Sequence, residues 1–376
     1  MFKKILGLLI LTLYILVLLV ALDQGPLISI QSFALGLVGL ITIVIISSSF
    51  AKKIHLVDIS DEPRKDHKGK IPLVGGIGLF ISLIYGATVF GVDPFYLYLL
   101  GSLIPIMIMG IIDGIQRIND LTAFRKILPV LRIIAQVIAS WIVILSTDIY
   151  LKNLGDIFGA GSIYLGELGI PFTIFAVAGM CNAFNMIDGK DGLLGSTTVI
   201  TLFSLLLLLY INDVIFLWGQ ILIFSILVYL AFNLSLFGKN RKIFLGDHGS
   251  NGLGHIIAWS LIYLSQDTEF LTPVSALWFV LLPLTDALLT FVRRYRSSSS
   301  IFKADRQHFH HKLADMGIND RNILFIFCSI SVISCAIAIA ANLLPIEESI
   351  MFYGYITLII FCSLLGFSKT EKNKDF

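Results

Sequence analysis

The sequence predicts an all-α fold, a polytopic transmembrane helical bundle with about 11 to 12 transmembrane helices. Of its 376 residues, 57% are hydrophobic and only 14% are charged, whereas a soluble domain carries about 25% charged residues. Apolar stretches of about 17 to 25 residues, long enough to cross the hydrocarbon as helix, recur along the chain. Because lipid offers the backbone no hydrogen-bond partners, these spans are expected to be helices.

Twelve candidate spans follow one another with short polar connections. They are predicted at residues 5–22, 31–50, 73–91, 96–112, 127–147, 170–186, 195–211, 214–236, 251–265, 272–290, 323–344 and 350–368. We interpret residues 1–376 as one integral membrane domain: an additional amino-terminal anchor at 1–30, a core at 31–368 and a cytoplasmic tail at 369–376. The first span also resembles a signal peptide, but its length and the absence of a small-x-small cleavage site favour a retained anchor.

The distribution of positive charge predicts the orientation of the spans, because basic loops resist translocation. With a cytoplasmic amino terminus, 25 of the 27 Lys and Arg residues lie in cytoplasmic segments, and only Arg132 and Lys152 do not. The net charge of +2 is too small to indicate a nucleic-acid partner. The four cysteines lack metal-type spacing and are interpreted as packing residues.

Five connections on the predicted cytoplasmic side concentrate the titratable and glycine residues. The first carries the basic residues Arg64, Lys65 and His67, which suit phosphates, ahead of Gly75–Gly76, where a ligand can approach the backbone. A basic collar against anionic lipid head groups is the alternative. The second begins with Asp113 at the end of a span, which by itself also fits a solvated interfacial acid.

The third connection, residues 182–195, is dense in amides and carboxylates. Asn182, Asn185 and Asp188 follow an i, i+3, i+6 spacing that places them along one side of a helix end, and Asp191 comes next. Such oxygens suit magnesium or a hydroxyl-rich ligand. An Asx-rich turn is the alternative, but polar groups at this density in a membrane-facing run favour a functional site.

The fourth and fifth connections add a carboxylate and a histidine cluster. Asp247 lies between glycines just before a span, where it suits a magnesium ligand or a helix N-cap equally well. The fifth connection holds Arg306, His308, His310 and His311. Its cations favour a sugar-phosphate or other anion over a transition metal, and a solvated basic loop is the alternative.

Together these connections resemble the polyprenyl-phosphate N-acetylhexosamine-1-phosphate transferase family, and most closely its WecA-type branch, which uses UDP-N-acetylglucosamine. The strings that carry the resemblance occur in the family's order over about residues 50 to 313. They are Ile71-Pro72-Leu73-Val74-Gly75-Gly76, Asn182 through Gly195, Phe244 through Ser250, and Arg306-Gln307-His308-Phe309-His310-His311.

The resemblance implies a magnesium-dependent enzyme, with manganese as a substitute, that moves N-acetylglucosamine-1-phosphate, or a related N-acetylhexosamine-1-phosphate, from a UDP-sugar to undecaprenyl phosphate and releases UMP. It implies Asp247 and Asp113 as metal ligands, and Asp113, Asp188 and Asp191 as catalytic residues. In this role Asp113 would orient or deprotonate the acceptor phosphate. The implied substrate-binding residues are Arg64, Lys65, His67, Arg132, Asn182, Asn185, Arg306, His308, His310 and His311.

Three features depart from the family's pattern. Gly114 stands where a second aspartate usually follows Asp113, and Asp120 is a candidate replacement if the loop folds back. Lys190 stands where an apolar residue is usual and adds a cation to the acidic third connection. The first span is additional to the family's usual eleven. Gly114 and Lys190 each fit either a different donor sugar or a silent homologue.

The expected partners are a UDP-N-acetylhexosamine, undecaprenyl phosphate and membrane lipids, with a homodimer left open. We expect the protein in the bacterial inner (plasma) membrane, with its active site on the cytoplasmic face, at the start of lipopolysaccharide or cell-wall biogenesis. A transporter is the rival from another class. It would place polar residues near the bilayer midplane and show an internal repeat, whereas these acidic and histidine motifs lie in connections on one face.

Overall fold

The computed structural model describes residues 41, 44–59, 69–90, 93–116, 122–214, 216–268, 270–296, 307–344 and 346–367. Within them, six helices are long and apolar enough to cross a membrane, and a bent pair makes a seventh. The all-α polytopic bundle is thereby confirmed. Two further predicted spans correspond to shorter apolar helices at Gly75–Thr88 and Leu217–Asn233. Predicted span 5–22 and most of 31–50 lie outside the described residues, so the total of 11 to 12 stays a prediction.

Helical residues at 44–53 precede two short strands, β1 (Val57–Ile59) and β2 (Lys70–Pro72). The helices are α1 (Gly75–Phe90), α2 (Pro94–Gln116), α3 (Thr122–Thr147), α4 (Gly169–Ile187), α5 (Leu193–Ile211), α6 (Leu217–Asn233), α7 (Asp247–Gln266), α8 (Pro273–Phe279), α9 (Leu281–Arg296), α10 (Phe309–Asp315), α11 (Asp320–Leu343) and α12 (Glu348–Cys362). Short 3-10 turns at Gly166–Leu168 and Lys239–Arg241 and a π-helical turn at Ser363–Phe367 complete them.

Two compact units divide the chain, and the prediction of one domain over 1–376 stays a prediction. The first unit comprises residues 1–147 and 205–253, as far as these are described. In it α2 packs along α3, and α1 packs against α2 and α6. The start of α2 is set locally, because Pro94 is its first residue and Asp93 accepts a hydrogen bond from the Phe95 amide at 2.8 Å.

A short antiparallel pairing brings distant parts of the first unit together. β1 pairs with β2, with Val57 opposite Pro72. Beyond β2 the chain runs beside residues 244–245: the Gly75 amide donates to the Phe244 carbonyl and the Gly76 amide to the Leu245 carbonyl, both at 2.9 Å. The first and fourth connections of the sequence are therefore neighbours.

The outer faces of α2 and α3 are apolar where they are most exposed. Ile104 and Ile108 of α2, and Ile134 and Ile138 of α3, are each roughly half exposed. Each pair is four residues apart, so each forms an outward stripe on its helix. Apolar stripes of this kind suit hydrocarbon rather than water, as expected of an integral membrane protein.

The second unit comprises residues 148–204 and 254–376, as far as these are described. Here α9 packs against α4 and α11, and α8 packs against α11 and α12. Phe327, Cys335 and Ala338 of α11 are buried in its core. The Trp278 indole of α8 donates to the Met351 carbonyl of α12 at 3.2 Å, so that the polar end of this ring is satisfied in the interior.

The predicted span at 272–290 is broken in the structure and is not one continuous helix. Two helices, α8 and α9, occupy this stretch and meet at 89°. The physical reason is Pro283, which has no amide hydrogen for the Phe279 carbonyl and whose ring clashes with it in a continuous helix. The Thr201 hydroxyl donates to that carbonyl at 2.8 Å instead.

Candidate active site

In the first unit, two of the predicted carboxylates converge on one arginine. Asp113 lies in the last turn of α2, Arg132 in the middle of α3, and Asp247 is the first residue of α7. The Arg132 guanidinium is 3.1 Å from an Asp247 carboxylate oxygen and 3.7 Å from one of Asp113. Asp113 is only 3% exposed. It is therefore a buried, paired carboxylate, and the interpretation as a solvated interfacial acid is excluded.

Small residues let these elements come this close. A Cβ atom at Gly110 of α2 would lie 2.3 Å from the backbone nitrogen of His248. A Cβ atom at Gly76 of α1 would lie 2.4 Å from the Cα atom of Gly249. Any larger residue at either position would push the start of α7 away. The glycines thus place Asp247 within reach of Arg132.

A second polar contact holds α7 against α3. The Gln136 amide donates to the Asn251 side-chain oxygen at 2.8 Å, and Asn251 donates to the backbone carbonyl of Asp247 at 2.6 Å. Between these groups and Arg132 lies a cavity of about 10 Å³, room for about one water molecule. The Nε of Arg132 is buried and has no hydrogen-bond partner among the described residues. The site is polar and tightly packed, and its arginine has donor capacity to spare.

His248, next to Asp247, does not add a positive charge. Burial lowers the pKa of His248 to about 4, although the Asp247 carboxylate acts to raise it. The imidazole is therefore neutral at pH 7. Among the described residues, Arg132 places a positive charge against both Asp113 and Asp247.

The residues present fit a hard divalent cation. Asp113 and Asp247 already hold one positive group between them, the Arg132 guanidinium. Within the described residues no three His, Cys, Asp or Glu side chains are close enough to hold a metal ion by themselves. Magnesium does not require three, since it is commonly bound by one or two carboxylates together with substrate phosphates and water.

Gly114 is the departure from the family's pair of aspartates, and its surroundings are apolar. A Cβ atom there would lie 2.8 Å from Leu56 Cδ1 and 3.4 Å from Leu73 Cδ1. A carboxylate at 114 would therefore start among leucine side chains. Asp120, proposed above as its replacement, lies outside the described residues.

The second unit holds the third and fifth connections. α4 ends at Ile187, and Asp188 is its C-cap residue. Asn182, Asn185 and Asp188 are half-buried, while Cys181 and Phe184 are buried. That the three polar residues share one side of the helix end stays a prediction. Asp191 is exposed in the turn that leads into α5.

The three histidines form one cluster at the start of α10. Ring centroids are 6.0 Å apart for His308 and His310, 6.4 Å for His308 and His311, and 4.1 Å for His310 and His311. His308 and His310 are buried and His311 is half-buried. The cluster is therefore partly shielded from solvent.

Asp286 of α9 fixes the first of these histidines, and sequence reasoning missed it. One Asp286 oxygen is 3.0 Å from His308 Nδ1, and the other accepts from the Phe309 backbone amide at 3.0 Å. A carboxylate only accepts, so the imidazole carries its proton on Nδ1 and directs Nε2 to the opposite side. The same carboxylate satisfies an amide at the N-terminus of α10. The signal that could have identified Asp286 is an isolated acid inside an apolar stretch.

Two further residues of α9 brace this contact and were also missed. Arg293 donates to the Gln307 carbonyl at 3.1 Å and to the Thr290 hydroxyl at 3.3 Å. The Thr290 hydroxyl lies 3.4 Å from His308 Nδ1. Arg293 is 2% exposed, so this basic residue is internal to the fold. Arg293 was assigned to a cytoplasmic segment from its positive charge, and that assignment stays a prediction.

The structure does not cover every predicted site residue. Arg64, Lys65, His67 and Arg306 lie outside the described residues. Asp113, Arg132 and Asp247 are brought together in the first unit. The remaining predicted residues, Asn182, Asn185, Asp188, Asp191, His308, His310 and His311, belong to the second unit. The substrate-binding and catalytic roles of all these residues stay predictions.

Comparison with known proteins identifies the family. The family model described as glycosyl transferase family 4 matches residues 96–265. The chain is 32% identical over 296 residues to an undecaprenyl-phosphate alpha-N-acetylglucosaminyl 1-phosphate transferase of Escherichia coli O157:H7, covering 78% of each chain. It is 35% identical over 326 residues to the protein of that name from Haemophilus influenzae, covering 85% of this chain and 89% of the relative. With this identity over most of both chains, the protein belongs to glycosyl transferase family 4, together with these transferases.

Proposed function

We propose that the protein transfers N-acetylglucosamine-1-phosphate from UDP-N-acetylglucosamine to undecaprenyl phosphate and releases UMP. The relatives from Escherichia coli and Haemophilus influenzae carry this activity in their names. The observation that carries the proposal to this chain is the convergence of Asp113 and Asp247 on Arg132. Two carboxylates and a cation beside a small cavity are what a phosphoryl-transfer site needs.

The reaction joins two anions. An oxygen of the acceptor phosphate forms a bond to the sugar-bearing β-phosphorus, and the bond from that phosphorus to the bridging oxygen breaks, with its electron pair leaving on UMP. A phosphate monoester with a second pKa of about 6 is largely dianionic at neutral pH. The acceptor phosphate therefore needs no base to deprotonate it at neutral pH. The proposed task of Asp113 is to orient that phosphate.

Arg132 offsets the charge of the donor. Its Nε is a buried donor without a protein partner among the described residues, and its guanidinium has the planar form that binds phosphate oxygens in pairs. Asp113 and Asp247 would hold Mg²⁺, with Mn²⁺ as a substitute. When bound, such an ion neutralises charge on the phosphates.

The polar groups predicted to bind a nucleotide sugar belong to the second unit. Asn182, Asn185, Asp188 and Asp191 would offer amides and carboxylates to a hydroxyl-rich ligand. With its proton on Nδ1, His308 would accept a hydrogen bond from a sugar hydroxyl through Nε2. Asp286 itself is a positioning residue, because it acts through His308.

The site is proposed to work at the cytoplasmic face of the bacterial inner membrane, at the first step of a surface polysaccharide. The charge partition supports this face, with 25 of 27 Lys and Arg residues in the segments assigned to it. A site at the membrane boundary lets a lipid acceptor meet a water-soluble donor.

The test is release of UMP by the purified protein given UDP-N-acetylglucosamine, undecaprenyl phosphate and Mg²⁺. Release should need all three components, and Asp247→Asn and Asp113→Asn should each lower kcat about a hundredfold or more. Failure to release UMP with UDP-N-acetylglucosamine and with a panel of other UDP-N-acetylhexosamines would contradict the proposal. Release with another sugar only would correct the donor and keep the reaction.

Asp213→Asn is the matched control. Asp213 is exposed in the turn after α5 and has a φ of 58°, a conformation that asparagine tolerates well. This variant makes the same chemical change without touching the site, so it should keep the parent's kcat. A loss of activity here as large as in Asp247→Asn would show that the assay reports general damage.

A further inference from the structure

The turn between α4 and α5 is held by the backbone at both ends. The Gly189 amide donates to the Ile187 carbonyl at 2.7 Å, and the Leu193 amide donates to the Lys190 carbonyl at 3.2 Å. Gly192, with a φ of 76°, allows the chain to reverse into α5. The turn carries Asp188 at its start and Asp191 near its end. Its position therefore decides where both carboxylates stand.

Lys190, in the middle of this turn, is anchored from outside it. Its ammonium lies 2.9 Å from a carboxylate oxygen of Asp320. Asp320 is in the first turn of α11, whose start is fixed by the Asn319 side chain, which accepts from the Asn322 amide at 3.0 Å. The Lys190 side chain is 13% exposed and that of Asp320 is 67% exposed. The lysine thus lies folded against the protein and reaches a rigid partner.

The residue before Lys190 touches the histidine cluster. A Cβ atom at Gly189 would lie 2.2 Å from His310 Nε2, so only glycine allows the backbone to sit this close to the imidazole. Gly189 itself is otherwise exposed. The turn is therefore in contact with α10 at Gly189 and with α11 at Lys190, two adjacent residues.

We propose that Lys190 is a positioning residue whose ion pair with Asp320 clamps the Asp188–Asp191 turn against the histidine cluster. The inference rests on the proposed function, in which this turn binds the nucleotide sugar. It also accounts for the departure at position 190: the added cation serves the protein's own Asp320 and so neither silences the site nor marks a new donor. The clamp needs both a lysine in the turn and an acid at the start of α11.

The expected effect is moderate and falls on binding. An ion pair with one partner in solvent contributes little free energy, so its loss should raise the KM for UDP-N-acetylglucosamine about threefold to fivefold. In the proposal the turn contacts the nucleotide sugar equally in the ground state and in the transition state. The kcat should therefore change less than about twofold. A contact that only stabilised the fold would lower the melting temperature and leave KM unchanged.

The experiment uses the full-length protein and four variants. Lys190→Met and Asp320→Asn each remove one charge, and Lys190→Glu combined with Asp320→Lys exchanges them. The fourth, Lys152→Met, is the matched control, since Lys152 forms another lysine–aspartate pair in the same unit, 3.3 Å from Asp148. For each variant, KM and kcat for UDP-N-acetylglucosamine and the melting temperature are measured.

Both single-charge variants should raise KM, and the charge-exchanged variant should recover at least half of that loss. Recovery is expected to be incomplete, because a lysine in the first turn of α11 opposes the helix dipole. Lys152→Met should keep the parent's KM. A parental KM in Lys190→Met, or a charge-exchanged variant no better than the single variants, would overturn the clamp.

These failures are distinct from failure of the proposed function. If the parent releases UMP and the Lys190 variants have the parent's KM, the transferase activity is supported and the clamp is contradicted. If the parent releases no UMP from any UDP-N-acetylhexosamine, both the proposed function and the clamp are contradicted.

Discussion

At the scale of single residues, the site is assembled from side chains whose partners are distant in sequence. The family resemblance implied Arg132 as a substrate-binding residue, and the structure pairs it with two carboxylates, at 3.1 and 3.7 Å. No spacing rule connects positions 113, 132 and 247. The residue types were predictable, and their pairing was not.

Asp286→Asn should lower kcat about tenfold to a hundredfold, because a charged hydrogen bond to a buried group is worth about 1.5 to 3 kcal/mol. The amide that replaces one oxygen is a donor, so it opposes a proton on His308 Nδ1 and favours the other tautomer. UMP release gives the rate, and ¹⁵N NMR of the imidazole reports the tautomer.

The control for Asp286 is Asp315→Asn at the end of α10, where the side chain is exposed. It should keep both the parent's rate and its ¹⁵N signature. An Asp286→Asn protein with parental kcat would remove Asp286 from the set of positioning residues. A lower rate with an unchanged tautomer would give Asp286 a purely structural role at the start of α10.

At the scale of elements, close approach between helices depends on glycine. Gly110→Ala should reduce kcat about a hundredfold, because its Cβ would lie 2.3 Å from the His248 nitrogen and force α7 away from α2. Displacements near 1 Å in an active site have effects of about this size. Steady-state UMP release measures the loss.

Gly101→Ala provides the comparison within the same helix. A Cβ atom at Gly101 meets nothing within 4 Å, so this change should keep kcat and gain up to about 1 kcal/mol of helix stability. Equal losses of activity in the two variants would mean that α2 needs glycine for a reason other than its contact with α7.

The break between α8 and α9 makes a prediction about stability. Thr201→Val removes the hydroxyl that donates to the Phe279 carbonyl at 2.8 Å and leaves this buried acceptor with the weaker donation of the Cys335 thiol at 3.9 Å. This should cost about 1 to 3 kcal/mol of the free energy of unfolding, read as a lower melting temperature in detergent.

Thr198→Val is the matched change one turn earlier in α5. The Thr198 hydroxyl donates to Leu194 in its own helix at 2.8 Å, and that carbonyl keeps its helical bond when the hydroxyl is lost. Thr198→Val should therefore be nearly neutral. If both variants melt alike, the Thr201 contact does not support the break.

At the scale of the whole molecule, charge predicts the topology. A cysteine at position 305 should react with a membrane-impermeant reagent only from the cytoplasmic side, and one at Ala160, exposed in the loop before α4, only from the opposite side. Among the native cysteines, Cys181 and Cys335 are buried, and Cys328 and Cys362 are half-buried. Labelling of both positions from one side would contradict the predicted number of spans between them.

The sequence by itself determined the class of fold, the motifs that carry the family resemblance, and most residue types of the site. Hydropathy and helix length decide which segments enter a bilayer, and both are local properties of the chain. The helices accordingly lie within a few residues of the predicted spans, as α4 at 169–187 does against 170–186. Pro283 and Asp286 are local features that went unused, and at Pro283 the predicted span breaks.

Only the tertiary structure decided which of these residues meet. The pairing of Arg132 with Asp113 and Asp247, the contact of Asp286 with His308, and the ion pair of Lys190 with Asp320 join residues between 19 and 130 positions apart. Such contacts depend on how helices pack, and packing is fixed by close approaches such as Gly110 against His248. Helical periodicity relates a residue to neighbours three or four positions away, so it carries no information about partners at this distance.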